Sequence, residues 1–240
     1  SEYNGNRHSV SHFSSVKFVV PATNPYNFTG KALLMDNYRF VDAGARNVDN
    51  DKETTRYLVG VRGDTVTGWD WESAASYSVA EAFDVTHNRV SNTLMDALLH
   101  RTDETAYNPF NGGGLYQTGF VSHNPVDYTP GGIGPALVDA FRANERTMTT
   151  LDFRMSKPDI FSLAGGDVGM AFGLETRNET FMDDRDPRLD GTIVFTERRT
   201  NGQLSTSAGD TYPYVSDLAN SSPTPDNDGS RNVNSVYIEF

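Results

Sequence analysis

The residues of this chain that could most readily bind a metal ion are four aspartates in one short run. A Ca²⁺ site takes six to eight oxygen ligands, and carboxylates supply many of them. The spacing does not match an EF-hand loop, and the neighbouring Arg185 and Arg188 can pair with the same carboxylates. We therefore predict no metal site and favour ion pairing within the run. The candidate calcium ligands are Asp183, Asp184, Asp186 and Asp190.

No combination of side chains indicates catalysis. The chain has no cysteine, which excludes thiol catalysis, cysteine zinc sites and disulfides. His8, His12, His87, His100 and His123 are scattered and do not form an HExxH-type spacing. His8 and His12 lie in a stretch without helical periodicity, so we interpret them as solvated loop side chains. We predict that the protein is not an enzyme, has no catalytic residue and uses no cofactor.

Two segments, 55–82 and 147–181, have the alternation of apolar and polar residues that predicts long β-strands. Successive side chains of a strand point to opposite faces, so each strand has one apolar face. A short turn divides each segment, which predicts two hairpins, and Leu58 is the clear exception to the alternation. The apolar positions are Tyr57, Val59, Val61, Trp69, Trp71, Ala75, Tyr77 and Val79 in the first segment, and Leu151, Phe153, Met155, Val168, Met170, Phe172 and Leu174 in the second.

Charged residues of both signs occupy the polar face of the same strands. A strand of about 9–11 residues with one apolar face can cross a bilayer in a β-barrel. The same pattern fits a soluble sandwich, in which the apolar faces pack on a core. In a barrel these charges line the lumen, where they meet a ligand or pair between strands, and pairing is favoured. The candidate lumen-facing residues are Arg56, Arg62, Asp70, Glu72, Asp152, Arg154, Glu175 and Arg177.

Composition and charge narrow the function classes. The net charge of −12 argues against nucleic-acid binding, which needs a basic face. The 240 residues can form one all-β domain, and no apolar run approaches the ~20 residues of a membrane helix. Because barrel strands are apolar only at alternate positions, a hydrophobic fraction of 37 % is compatible with a barrel. A positively charged start followed by an apolar core is lacking, so we expect no signal peptide in this chain.

The lengths of the connections between strands favour the barrel over the sandwich. Short connections are predicted at 63–68 and 157–166, and long ones at 43–54, 83–146 and 182–231. Outer-membrane barrels have this asymmetry, with short periplasmic turns and long extracellular loops. In a soluble sandwich, short and long loops are not expected to alternate along the chain.

Short elements are expected within and around the long connections. Capping residues, an early proline and an Asn-Gly dipeptide supply the signals. The predictions are helices at Asn92–Leu99 (capped by Ser91 or Asn92) and Pro135–Ala143, strands near Val16–Val20, Lys31–Phe40 and Ser235–Phe240, a loop tip at Asp42–Glu53, and a small hairpin with a strand at Thr192–Thr196 and a turn at Asn201-Gly202.

Eight segments, in order over nearly the whole chain, resemble TonB-dependent outer-membrane receptors. The segments DDRDPRLDG and SSPTPD…GSRN are the distinctive ones, and the others gain weight from their order. The full set is NPYNFTG, YRFVDAG, WDWESAASYS, DVTHNRVSNTL, AYNPFNGG, FSLAGGDVGMAFGLETRNETF, DDRDPRLDGTIVFT and SSPTPDNDGSRNVNSVYIEF.

This resemblance implies that residues 1–240 are an early-to-middle part of an antiparallel transmembrane β-barrel, with long extracellular loops at about 83–146 and 182–231. We find no plug domain or TonB box in the chain. The expected location is the cell outer membrane. The expected partners are membrane lipid, the TonB complex of the inner membrane acting through the missing plug, and a scarce nutrient, namely an iron–siderophore, a cobalamin or an oligosaccharide. Trp69 and Trp71 would belong to the aromatic girdle at the membrane boundary.

The alternative is a soluble extracellular β-sandwich that binds carbohydrate or assembles into a surface layer or fibre. Trp69, Trp71 and Tyr77 would then form a sugar-stacking platform. The apolar row from Val168 to Leu174 distinguishes the two hypotheses, because a sandwich must cover that row with a second sheet, whereas a barrel turns it toward lipid.

Overall fold

Antiparallel β-sheet dominates the computed structural model of this protein. The all-β fold class predicted above is therefore confirmed. The structure describes residues 18–35, 38, 40–110, 131–198, 204–205 and 214–240. In these ranges the strands are β1 (Phe18–Val20), β2 (Leu33–Met35), β3 (Val48–Asp64), β4 (Asp70–Val90), β5 (Leu137–Leu163), β6 (Gly166–Arg185), β7 (Glu197–Arg198), β8 (Leu204–Ser205) and β9 (Asn227–Glu239), and the helices are α1 (Asn92–Leu99) and α2 (Pro187–Asp190).

One sheet contains the five long strands in the order β3-β4-β5-β6-β9, and the pairs β1-β2 and β7-β8 form two small sheets. In the described part of the chain the large sheet does not close on itself, so β3 and β9 are its edges. The register of β6 and β9 places Leu174 opposite Val236 and Phe172 opposite Ile238. Apolar residues therefore face apolar residues across the strand pair, as the alternation predicts.

Two tight turns connect the predicted hairpins. Between β3 and β4 the amide of Gly68 donates to the carbonyl of Thr65 at 3.0 Å, and Gly68 has φ of 79°, which favours glycine. Between β5 and β6 only residues 164–165 lie outside the strands. Both hairpins are thus confirmed, and the second turn is shorter than the predicted 157–166.

The chain divides into two compact units, which are described separately. Unit 2 comprises Asp51–Phe83, Ala143–Asp184 and Asn227–Phe240 and contains most of the large sheet. Unit 1 comprises the described parts of Ser1–Asn50, Asp84–Arg142 and Arg185–Asp226. The described parts of the long connections therefore belong to one compact unit.

An aromatic-rich hydrophobic core holds unit 1 together. The Phe18 ring lies 6.2 Å from the Phe40 ring and 5.9 Å from the Phe195 ring, between centroids. Tyr107 is also fully buried in this cluster, together with Leu98. Aromatic rings bury large apolar areas and gain from such tilted and edge contacts. The long connections thus fold around a core that their own residues supply.

Helix α1 forms where the sequence predicts it. The hydroxyl of Ser91 accepts a hydrogen bond from the Leu94 amide at 3.2 Å, which satisfies one of the free donors of the first turn. Met95, Leu98 and Leu99 are buried, at the i, i+3 and i+4 spacing of an amphipathic helix. The predicted cap and both predicted ends are confirmed.

A buried carboxylate ties the start of α1 to a distant part of unit 1. Asp217 accepts from the Ser91 hydroxyl and from the Thr93 amide, both at 2.7 Å. The Arg188 guanidinium lies 3.3 Å from the same carboxylate. Asp217 is 1 % exposed, so these partners compensate for removing its charge from water.

Several predicted boundaries are wrong. Pro135–Ala143 is not a helix: a 3-10 turn covers Gly134–Ala136 and β5 begins at Leu137, because pairing with β4 outweighs the weak helical signal of the proline. Asp42–Glu53 is not a loop throughout, since β3 begins at Val48. The long connections are also shorter than predicted, because β4 and β6 continue farther and β5 and β9 start earlier. They cover 91–136 and 186–226 rather than 83–146 and 182–231.

The small hairpin and the short strands are found with shifted limits. Glu197 and Arg198 pair with Ser205 and Leu204, whereas the sequence predicted the first strand at 192–196. The Asn201-Gly202 turn lies outside the described residues. β1 and β2 fall inside the segments predicted at 16–20 and 31–40, and β9 begins eight residues before the predicted 235–240, at Asn227.

We expect Leu98→Ala to destabilise unit 1 by about 2–5 kcal/mol, since it opens a cavity at a buried position. Leu98 is 1 % exposed, whereas Leu94 on the same helix is 37 % exposed and provides the matched control. Leu94→Ala should cost well under half as much. The measurement is the protection of the α1 amides from hydrogen exchange in each variant, and equal losses of protection would contradict the described core.

Candidate functional site: a sheet with one apolar and one charged face

The apolar positions of the large sheet lie together on one face of unit 2. The Phe172 ring is 6.1 Å from the rings of Phe153 and Trp69, so β5, β6 and the end of the β3–β4 turn present these side chains on the same side. The β6–β9 register adds Val236 and Ile238 to that side. The predicted alternation therefore produces a continuous apolar face across neighbouring strands.

No second layer covers this apolar face within the described residues of unit 2, which consist of the sheet and its turns. Leu151 is 53 % exposed and Val236 is 71 % exposed. In the row that distinguishes the two hypotheses, Val168, Met170 and Phe172 are half-exposed and Leu174 is exposed. An exposed apolar patch of this kind is a candidate interaction surface.

The opposite face of the sheet carries the charged residues predicted from the sequence. Arg62, Asp70, Glu72 and Arg154 line a groove of about 630 Å³, and the Arg154 guanidinium donates to the Glu72 carboxylate at 2.8 Å. Asp152 lies close enough to Arg154 to interact electrostatically. The structure therefore brings four of the eight predicted charged residues together in one groove, namely Arg62, Asp70, Glu72 and Arg154.

The other predicted charged residues lie on the same face but outside this groove. Arg177 pairs with Glu179 at 2.9 Å, and Arg231, which the sequence reasoning did not include, donates to Glu179 at 2.5 Å. Arg56 and Glu175 share the face through the strand alternation. Ion pairing between neighbouring strands, the favoured role, is thus observed for Glu72 with Arg154 and for Glu179 with Arg231.

Tyr237 completes the charged groove and explains a glycine in β6. Gly173 lies directly opposite Tyr237 in the register, and the Tyr237 ring covers it so closely that a Cβ at 173 would collide with the ring. Glycine inside a strand often marks such a close approach. The aromatic ring therefore lies over Gly173 on the charged face and lines the groove.

Trp69 ends the short turn between β3 and β4, and Trp71 lies at the start of β4. Trp69 packs edge-on against Phe172, and the Trp71 ring lies 3.3 Å from the position that a Cβ of Gly63 would occupy. Both side chains are half-exposed. The structure thus places both side chains at one end of the sheet, where Trp69 contacts the apolar face and Trp71 also lines the charged groove.

The four aspartates proposed as calcium ligands have other roles or separate positions. Asp186 caps α2 by accepting from the Arg188 amide at 2.9 Å, and Asp190 accepts from the Thr192 amide at 2.6 Å. Asp183 and Asp184 lie in β6. Among the described residues, no group of three or more His, Cys, Asp or Glu side chains could hold a metal ion. The calcium hypothesis gains no support from this geometry.

A histidine bridge in unit 1 was missed by the sequence reasoning. His87 Nε2 lies 3.0 Å from an oxygen of Asp49, and Nδ1 lies 2.9 Å from an oxygen of Asp139. Hydrogen bonds to Asp49 and then to Asp139 raise the pKa of His87 above its ordinary value. These residues are far apart in the sequence and carry no motif, so only the pairing of β3, β4 and β5 brings them together.

Comparisons of the chain with protein-family models, with curated proteins and with solved structures gave no match. Neither helix in the described ranges has the length and apolar composition to cross a membrane as a helix. The receptor resemblance of the quoted segments therefore stays a hypothesis, and the two-faced sheet is the observation on which a function can be based.

We expect the His87 bridge to weaken as the pH rises. Because the folded-state pKa is raised, the stabilisation is fully present below the ordinary value and is lost as the pH rises through the raised value. Asp49→Asn should lower the pKa of His87, as measured by NMR titration of the imidazole protons. Asp51→Asn, at an exposed position of the same strand, is the control and should leave the titration unchanged. An unaltered His87 titration in Asp49→Asn would contradict the bridge.

Proposed function

We propose that this chain is part of an outer-membrane importer that binds a scarce nutrient outside the cell and passes it inward. The observation that carries the proposal is the open apolar face of the large sheet, opposite a face that bears ion pairs and a charged groove. In a barrel wall the first face contacts lipid and the second lines the lumen. The five strands of the large sheet have from 13 to 27 residues, which exceeds the about 9–11 needed to cross a bilayer.

The exposed apolar face argues against the soluble sandwich. Sandwich sheets pack face to face about 10 Å apart, and their apolar side chains interdigitate to form the core. The described residues of unit 2 provide no second sheet for this purpose. Hydrocarbon would remove the apolar face from water without a second protein layer.

The edges of the sheet specify what the proposal requires. β3 and β9 are the edge strands of the five-stranded sheet in the described ranges. Unpaired backbone groups are costly in a bilayer, so the proposed wall needs further strands beside both edges to close. The proposed transporter is therefore a barrel of which this sheet is one section.

The connections support the proposed orientation. Both tight turns, residues 65–69 and 164–165, belong to unit 2, and the connections 91–136 and 186–226 belong to unit 1 with its separate core. In outer-membrane barrels the short turns are periplasmic and the long loops are extracellular. The connections 91–136 and 186–226 would then be extracellular. An iron–siderophore, a cobalamin or an oligosaccharide is the proposed cargo, and the TonB complex acting through a plug is the proposed energy source.

A charge on the apolar face should disturb membrane insertion, whereas a charge on the neighbouring residue should not. Leu151 and Thr150 are adjacent in β5 and point to opposite faces. We expect Leu151→Arg to destabilise the protein folded into phosphatidylcholine vesicles by about 2–4 kcal/mol, and Thr150→Arg by about 1 kcal/mol or less. Urea titration of each variant in vesicles measures this difference. Equal effects would count against a lipid-facing side.

The two tryptophans, which are the only ones in the chain, report the position of the short turn. If Trp69 and Trp71 lie at the membrane boundary, lipids brominated close to the headgroup should quench their fluorescence more strongly than lipids brominated at the chain ends. Aqueous iodide should quench weakly. Strong iodide quenching with no effect of either brominated lipid would exclude the membrane proposal.

A further inference from the structure

Unit 1 contains a small cavity with an unusual concentration of positive charge. Its volume is about 300 Å³, at the lower end of the range for ligand pockets. Four arginines line it, with Asp84 as the acidic side chain among the lining residues. In a chain with net charge −12 this is a local reversal of sign. The arginines are Arg46, Arg89, Arg142 and Arg185.

Arg89 is the deepest of the four. It is 4 % exposed, and its guanidinium donates to the carbonyl of Ala219 at 3.3 Å and to the hydroxyl of Ser221. Both acceptors are neutral, and Arg89 Nε has no hydrogen-bond partner among the described residues. A buried cation is costly unless a negative group compensates for its lost hydration.

The protein compensates only partly for this buried charge. Burial and then repulsion by Arg46 lower the pKa of Arg89 to about 9, while Asp186 acts in the opposite direction. The Asp186 carboxylate already accepts from the amides of Arg188 and Phe141, at 2.9 and 3.4 Å. Two guanidinium groups that repel each other in one cavity are suited to sharing an anion.

We propose that this cavity binds a small oxyanion, either a phosphate or a carboxylate. Guanidinium groups match both anions geometrically and form two parallel hydrogen bonds to them. Ser221, Ser222 and Thr224 also line the cavity and add hydroxyl groups. Arg46, Arg142 and Arg185 also interact with the protein, so the anion would join an existing network.

The lining residues other than the arginines and the hydroxyl groups set a limit on the ligand. Ala140, Phe141 and Leu189 contribute apolar surface, and Asp84 Oδ1 is buried without a hydrogen-bond partner among the described residues. An anion that also carries a hydrogen-bond donor could satisfy this oxygen. Monohydrogen or dihydrogen phosphate meets that requirement, whereas acetate supplies no donor.

This site belongs to unit 1 alone and does not depend on whether the sheet enters a membrane. The test is calorimetric titration of the full chain in detergent with inorganic phosphate, and separately with acetate, at constant ionic strength. Constant ionic strength is needed because exposed charges are screened by salt. We expect saturable one-to-one phosphate binding and weaker acetate binding; tighter acetate binding would identify a carboxylate site instead.

Arg46→Gln is the informative variant, since Arg46 is half-exposed and its loss is tolerated more easily than that of buried Arg89. We expect it to weaken the binding about tenfold or more. Arg101→Gln is the matched control, because Arg101 is exposed in the same unit, outside the cavity. It should change the affinity less than about twofold. Hydrogen-exchange protection of α1 verifies folding of both variants.

Two results would overturn the proposal. One is the absence of saturable binding of both anions to the folded wild-type chain. The other is an equal loss of affinity in Arg46→Gln and Arg101→Gln, which would indicate a general charge effect. Either result would leave the membrane proposal unaffected, because that proposal is tested by the fluorescence and stability of unit 2.

Discussion

The open apolar face of the large sheet is the constraint on which the rest of the interpretation depends, since no second layer of described residues in unit 2 shields it from water. Side chains such as Leu151, Leu174 and Val236 remain exposed across neighbouring strands. Each buried apolar group contributes about 25 cal/mol per Å² of area removed from water, so an uncovered face forgoes a large stabilisation. The covering of this face, by lipid in our proposal, is the condition on which the long-strand architecture depends.

Unit 1, in contrast, buries its apolar residues in an enclosed core. Its residues come from the connections between strands, yet Phe18, Phe40, Tyr107 and Phe195 bury one another in an enclosed core. The buried carboxylate of Asp217 is paired with hydroxyl, amide and guanidinium partners. The two units thus differ in the exposure of their apolar residues. One encloses them and the other presents them on a face.

Elements were predicted correctly where nearby residues supplied a strong signal, such as a helix cap or a clear apolar periodicity, and no strand pairing competed with it. Ser91 and the apolar spacing of Met95, Leu98 and Leu99 define α1, and its limits were predicted correctly. Pro135–Ala143 failed because a proline at a helix start is a weak signal beside the pairing of an adjacent strand. The strands were predicted too short for a similar reason. Polar segments such as 48–54 extend a strand once a neighbouring strand supplies hydrogen bonds.

The sequence by itself determined the two-faced strands, the tight turns, the α1 cap and the charged residues that share one face, because period-two alternation and capping depend only on nearby residues. Only the tertiary structure decided which charges meet. Glu72 with Arg154, His87 between two aspartates, and the arginine cavity each join residues from distant segments. Strand register and the folding of the long connections set those distances. These pairings could not be predicted from the sequence, because no motif marks the residues that meet.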